Sequence, residues 1–540
     1  MIRASALALP LLAVAASPAA AQQGRVLVQP YVEAAQTLDA DLKGGDVVTY
    51  TTLAAGIDAT ADTARTSAQL SYRYERRIGW DDELGDSDVH SGLARIAVQA
   101  TPALTVEGGA LATRTRSDIR GFAPGILTSD DANISQLYAL YAGPTIATSA
   151  GDLAVNALYR IGYTKVETPG VGGLLPGAPR LDFYDDSLGQ VAFASVGTAP
   201  RTGLLPVGVT VSGGWSREDA GQLSQRFEGW FGRGDVLVPV SPYLALTAGV
   251  GYERIETSQR DPLLAPGPVP GSVVPVLDGN GRFVEDPNSP RRIAYRTDGV
   301  YYDAGVVWRP NRRTVAEARV GKRYGSTSYT GSVTYQATQN VGLAVGVYDV
   351  VTTFGRQLRE GLSGLPTSFV AARDAAFGQQ YNGCIFGTDA TAPGGCLNDV
   401  FQSISTASYR ARGVDGILSA SYGVDTYGFG LGYANRKLFA PNVPSGIVAF
   451  GLEDESYYAQ AFWSRVLSRV SSVNLNAFGN YYTSELPGSE DVVSLGASAS
   501  YFHNFGRLGT TAALGLYSFK VGDFESSLTA SALLGARYNF

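Results

Sequence analysis

The chain is poor in sulfur and imidazole. Two cysteines, two histidines and one methionine occur in 540 residues. Structural and catalytic metal sites draw on clustered Cys, His and carboxylate ligands, so no metal and no cofactor is expected. Histidine chemistry is confined to His90 and His503. They fall near strand ends on opposite sides of the expected membrane. Neither has the serine and polar partner that a Ser-His hydrolase requires, so no catalytic residues are assigned and no enzyme is expected. Cationic excess is also missing. Forty-two Lys and Arg stand against 49 Asp and Glu, a formal charge of −7, which argues against a nucleic-acid partner. Hydrophobic residues make up 45% of the chain. After Gln22, however, no run approaches the ~18 apolar residues that a transmembrane helix needs.

What is present starts with a leader. Met1-Ile2-Arg3 is a short basic start, Ala4 to Ala16 is a small-apolar run, and Ser17-Pro-Ala-Ala-Ala21 offers an Ala-x-Ala cleavage site. Residues 1–21 therefore read as a secretory signal peptide and 22–540 as the exported domain. Only Gln22 to Gly24 precede the first expected strand at Arg25, so no separate N-terminal plug domain is expected.

From Arg25 onward one device repeats: about twelve residues of alternating polarity, then a turn. Leu153, Val155, Ala157, Tyr159, Ile161 and Tyr163 oppose Asn156, Arg160 and Gly162. Val493, Leu495, Ala497, Ala499 and Tyr501 oppose Ser494, Gly496, Ser498 and Ser500. The apolar faces end in aromatics, as lipid-facing strands between interfacial girdles do. Short turns and longer loops alternate. Assigning the short ones to the periplasm separates about 22 strands, with both termini on the periplasmic side. The expected fold is all-β: a closed antiparallel transmembrane barrel of 20–24 strands. Gly428-Phe-Gly430-Leu-Gly432 lies inside an alternating strand with no helix after it, so it is not a nucleotide loop.

Two loops dominate. Residues 258–294 carry the proline-rich Asp261-Pro-Leu-Leu-Ala-Pro-Gly-Pro-Val-Pro-Gly271, which cannot be ladder strand. Residues 355–404 hold Cys384 and Cys396, which an exported chain is expected to join. These loops are either solvated surface or a lid folded into the pore.

The inward faces are expected to carry Arg73, Glu75, Arg77, Arg95, Glu107, Arg160, Arg226, Glu228, Glu253, Glu317, Arg319, Arg323 and Arg537. One reading makes them cross-strand ion pairs that stiffen a wide barrel. The other makes them an arginine-lined path for an anionic or polyhydroxylated solute. The ready supply of carboxylates favours the first. Trp230, Tyr348, Tyr458, Phe462, Phe478 and Tyr482 are placed on the same inward face, where a sugar path is conceivable and lumen filling is the simpler reading.

The chain ends in Ser531-Ala-Leu-Leu-Gly-Ala-Arg-Tyr-Asn-Phe540. Ala532, Leu534, Ala536, Tyr538 and Phe540 share one face. This ending resembles the C-terminal signal of Gram-negative outer-membrane β-barrels, with Gly535, Tyr538 and Phe540 at its spacing and Leu534 where a polar residue is usual. The resemblance implies residence in the outer membrane, contact with lipid and lipopolysaccharide, and recognition by the barrel-assembly machinery. A narrower resemblance rests on Val28-Gln-Pro-Tyr-Val-Glu-Ala-Ala-Gln-Thr-Leu-Asp-Ala-Asp, which is similar to the opening of porin-like barrels found beside exopolysaccharide or exosortase genes. It implies a role in surface-polysaccharide export or sorting. The functions to be separated are a porin-like channel or export conduit for a glycan or small polar or anionic solute, and a docking barrel without conductance.

Overall fold

The computed structural model describes residues 25–540, apart from 81–85, 121–132, 169–181, 201–205, 268–270, 272, 372–380, 382, 403, 440–452, 486–488 and 525. The signal peptide expected at 1–21 lies outside the described residues.

The wall is a 22-stranded antiparallel sheet closed on itself. Its first half comprises β1 (Arg25–Asp41), β2 (Val47–Asp62), β3 (Thr66–Gly79), β4 (Ser87–Thr101), β5 (Leu104–Arg116), β6 (Ile134–Ala150), β7 (Leu153–Glu167), β8 (Asp186–Thr198), β9 (Gly208–Ala220), β10 (Arg226–Pro239) and β11 (Leu244–Gln259). A small loop hairpin, β12 (Leu264–Pro266) with β13 (Val273–Pro275), follows. The wall resumes with β14 (Arg292–Asn311), β15 (Thr314–Arg323), β16 (Ser326–Thr338) and β17 (Val341–Thr352). Next come helix α1 (Phe354–Gly364) and a second hairpin, β18 (Cys384–Asp389) with β19 (Ala392–Cys396). β20 (Ser408–Tyr422), β21 (Asp425–Phe439), β22 (Glu453–Ser468), β23 (Ser471–Ser484), β24 (Val492–Phe505), β25 (Leu508–Val521) and β26 (Ser527–Asn539) complete the wall.

Closure comes from the last strand. β26 pairs with β1 from Tyr31 opposite Asn539 to Asp41 opposite Thr529. The Phe540 amide donates to the Pro30 carbonyl. The chain's two ends thus cover each other's hydrogen-bonding edge, and no wall strand is left unpaired. Gly535 lies in this seam opposite Ala35, while Tyr538 and Phe540 stand on the outer face with their rings 5.2 Å apart.

The outer face is apolar. Leu514 and Leu534 are 66% and 70% exposed, values that suit hydrocarbon and not water. Tyr433, Tyr457 and Tyr481 form an outer aromatic row towards the loop end, with neighbouring centroids 4.9 and 6.2 Å apart. Tyr501, His503 and Phe505 form another at the short-turn end. The band between the rows is the lipid-facing surface of a membrane-spanning barrel.

The richness in Tyr and Gly has a specific cause. Inward aromatic rings lie across glycines on the neighbouring strand: Tyr31 over Gly56, Tyr301 over Gly251, Tyr348 over Gly413 and Tyr458 over Gly432. A Cβ at any of these glycines would meet the ring. The ring covers backbone that the glycine leaves bare, and the glycine gives the ring a flat seat, a pairing that pins register in a curved sheet.

A plugged lumen as the candidate functional site

The segment between β17 and β20 does not rise above the barrel. It descends through it. Thr353 caps α1, its hydroxyl accepting from the Arg356 amide. Phe354, Leu358 and Leu362 recur every fourth residue and are fully buried, so one helix face is a lumen core. They pack with Leu111, Leu137, Tyr184 and Leu397.

Polar anchors fix the helix to the wall. Arg359 pairs with Glu218 of β9 and donates to Thr164 of β7 and Ser187 of β8, both at 3.0 Å. Glu218 also accepts from the Thr353 hydroxyl at 2.8 Å. Gly162 and Gly189 lie where the Arg359 side chain passes, and a Cβ at either would meet it. Below the helix, Arg95 of β4 donates to the carbonyls of Leu365 and Ser363, each at 3.0 Å. Gln69 of β3 exchanges hydrogen bonds with the backbone of Phe369 at 2.9 and 2.8 Å.

Hairpin β18–β19 meets the other side of the lumen. Cys384 and Cys396 are bridged and face each other across the hairpin. A Cβ on Gly430 would strike the Cys384 sulfur, and one on Gly428 would strike Phe386. The Cys384 amide donates to Gln460 of β22 at 2.7 Å, and Ser419 of β20 donates to the Gly387 carbonyl at 2.8 Å. The hairpin's turn reaches Gly342, close to the short turn at Gln339–Asn340. The chain then returns. Asp399 accepts from Gln357 at 2.6 Å, and the Ile404 amide donates to Ser117 at the loop end of β5. In the order around the ring, β3 to β9 lie opposite β17 to β22. The segment spans the diameter and runs most of the lumen's height.

Removing the bridge tests how much the hairpin holds itself. The cysteines are 12 apart in sequence, and closing so short a loop restricts the unfolded chain by about 3 kcal/mol in the entropy model. Reduction, or Cys384→Ser with Cys396→Ser, is expected to raise hydrogen exchange at 384–396 while the wall strands stay protected. Unchanged exchange there would contradict this anchoring.

The loop end is latched by a buried carboxylate. Asp182, between β7 and β8, accepts from the Gln222 side chain and the Phe283 amide, at 2.9 Å each, and the Thr406 amide donates to its carbonyl at 3.1 Å. Three loops and the returning segment therefore meet on one residue. Burial pushes the Asp182 carboxyl up to about 7, against the lowering effect of its donors and of Arg282. The folded state thus holds a proton that the unfolded chain releases near pH 4. The latch is most stable below that value and weakens as pH rises towards 7, by at most about 1.4 kcal/mol per pH unit. Protection at 222–225, taken relative to the intrinsic base-catalysed exchange rate at each pH, is expected to be lower at pH 8 than at pH 5, and Asp182→Asn to flatten that difference. Equal protection at both pH values in the wild type would sink the expectation.

Most of the sequence-predicted lumen residues come together as ion pairs. Arg73 pairs with Glu33 at 2.8 Å and with Glu75, which Arg77 also meets at 3.1 Å. Arg160 meets Glu107 at 3.0 Å, Arg323 meets Glu253 at 2.7 Å and Arg537 meets Asp58 at 2.7 Å. Arg319 joins Glu317, Asp235 and Asp303 at 2.5, 2.8 and 3.2 Å. Carboxylates sit on most of these guanidiniums, which is not the arrangement of an anion filter. Arg95 differs, because its donors go to the plug's carbonyls.

Three placements are corrected. Arg226 and Glu228 lie on the outer face, as does Trp230. Arg226 pairs with Asp219 and Glu228 stands opposite Arg217, while Phe227, Phe231 and Arg233 point inward. The cause is position. At the loop end of β10 both faces meet water, so polarity there does not report which face a residue occupies. Sequence reading also missed Glu218 and the helix. The Thr353 cap and the Phe354, Leu358, Leu362 spacing were the available signal for α1. Arg233 and Asp235, which line a 370 Å³ recess with Asp303 and Arg319, repeat the two-residue spacing of Arg73 and Glu75. His90 contacts Tyr72 and Tyr74 on the outer face of β3 and β4, and His503 contacts Tyr501 in the aromatic row at the short-turn end.

No family model and no curated protein matches this chain. Solved structures do. The open form of the ferric-catecholate import receptor Fiu from E. coli K12 matches at 8% identity with a TM-score of 0.45, covering 94% of this chain and 81% of that one. The FrpB iron transporter from Neisseria meningitidis matches at 9% identity and 0.43, covering 95% and 82%. The alcaligin outer-membrane receptor FauA from Bordetella pertussis matches at 11% and 0.37, covering 94% and 76%. No site residue is carried over from them.

Proposed function

We propose that the chain is an outer-membrane barrel that conducts a polar solute through a lumen held shut by its own inserted loop. One observation carries the reading: the described parts of the segment between β17 and β20 cross the lumen between opposite walls, held by a packed helix face and by side-chain hydrogen bonds to both walls, not by a second sheet or domain. Glycines clear the seat on both walls. The solute is a small polar molecule or a glycan. The docking reading, a barrel closed for good whose loops bind a partner, is favoured by the same filling and is separated by transport.

Proteoliposomes provide the test. Wild-type protein is expected to admit small sugars slowly. Arg95→Ala, which drops two hydrogen bonds to the plug backbone, is expected to speed entry severalfold. If neither protein admits solute after verified folding, the conduit reading fails and the docking barrel stands.

A further inference from the structure

The plug leaves two arcs of inner wall of opposite chemistry. Along β10–β15 the inward side chains include Arg233, Asp235, Asp303, Glu317 and Arg319. Along β23–β25 none of the inward positions is charged, among the described residues. This second arc is built of asparagine, serine, threonine, glycine and aromatic residues, with Val492, Ala513 and Val521 among them. Asn474, Asn476 and Asn480 project from β23, and Ser498 and Ser500 stand beside them on β24.

Two rings lie against this wall. A Cβ on Gly496 would meet both Phe478 and Tyr517, whose centroids are 6.3 Å apart, so Phe478 lies over the glycine. Phe502 lies over Gly509 in the same way. Phe478 points inward yet is 37% exposed, and Asn476 beside it is exposed too. Phe478 and Phe502 are about 20 Å apart along the strand direction at the usual rise per residue.

A neutral sugar has an apolar face of C–H bonds and an edge of hydroxyls, each both donor and acceptor. Aromatic faces suit the first. Asparagine amides and serine hydroxyls, which also donate and accept, suit the second. The inward positions of this arc offer an acidic sugar no cation of their own: of the guanidiniums beside it, Arg537 opposite Gly509 is paired with Asp58, and Arg116 lies over Phe519 at the loop end. We propose that the β23–β25 arc is a binding track for a neutral oligosaccharide, whose rings stack on Phe478 and Phe502 and whose hydroxyls meet the asparagines of β23. This assigns a substrate class to the conduit reading and rests on it.

The test is calorimetric titration of the folded full-length chain with maltohexaose and with an acidic hexauronate. Maltohexaose is expected to bind, with Phe478→Ala and Phe502→Ala each weakening it about tenfold. Phe429→Ala, on the lipid side of the wall, is expected to leave it unchanged. The hexauronate is expected not to bind. No heat with maltohexaose up to about 10 mM, unchanged affinity in both inward variants, or preference for the hexauronate would overturn the track. Failure of the conduit is read separately: sugar binding without transport sinks the conduit, and transport without sugar binding sinks the track.

Discussion

Glu218→Ala is expected to release α1 from the wall while the barrel stays closed. Glu218 is buried and accepts from both Arg359 and the helix cap, Thr353. Its loss leaves a guanidinium buried without its carboxylate, a change that costs about 3–5 kcal/mol in comparable sites. Repair is expected when the charge is removed as well: Glu218→Gln with Arg359→Met should recover much of the loss, because no charge is left buried and the amide oxygen at 218 can still accept from Thr353. Hydrogen exchange across 354–364 provides the readout. Equal protection in the wild type and Glu218→Ala would show that packing of Phe354, Leu358 and Leu362 holds the helix alone.

Gly430→Val is expected to lift the hairpin from the opposite wall. The strand itself tolerates valine well, since β-branched residues suit strands. The clash is with the plug, because the new Cβ lands on the Cys384 sulfur. Crowding of this kind typically costs 1–3 kcal/mol where the neighbours cannot yield. Here they yield by unseating. The expected result is a barrel of unchanged heat-modifiable mobility, with faster proteolysis between 384 and 396 and higher solute flux. Gly232→Val, at a position with open space beyond it, is the control. A barrel that fails to fold with Gly430→Val, or one with an unmoved hairpin, would contradict the seat described here.

The wall was legible in the sequence because lipid enforces a period of two. Leu153 to Tyr163 alternate cleanly because one face must be apolar and the other need not be. The closing strand was legible for the same reason. The plug was not, because inside a polar lumen neither strict rule applies. Its helix is short, its hairpin is stapled by one disulfide, and its contacts are single residues drawn from strands far apart in sequence, such as Gln69 with Phe369. Charge pairing was legible only locally. Arg73 beside Glu75 announces itself, whereas Arg233 with Asp303 requires the register of three strands, β10, β11 and β14, to be known. Arg226 and Glu228 show the limit of the method: at the rim, where water bathes both faces, alternation carries no direction.

The glycines read differently once the plug is in place. Gly428 and Gly430 look like breaks in a strand. They are the floor on which Phe386 and Cys384 rest.

Single-channel recording in a planar bilayer tests the central claim most directly. The chain is compared with a variant in which residues 365–398 are replaced by a short glycine–serine linker. The Gln357 contact with Asp399 keeps the two ends of the cut close. The account predicts small, intermittent conductance for the full chain and a large, steady conductance for the variant. Equal conductance in both, whether high or absent, would show that the segment between β17 and β20 does not close the lumen.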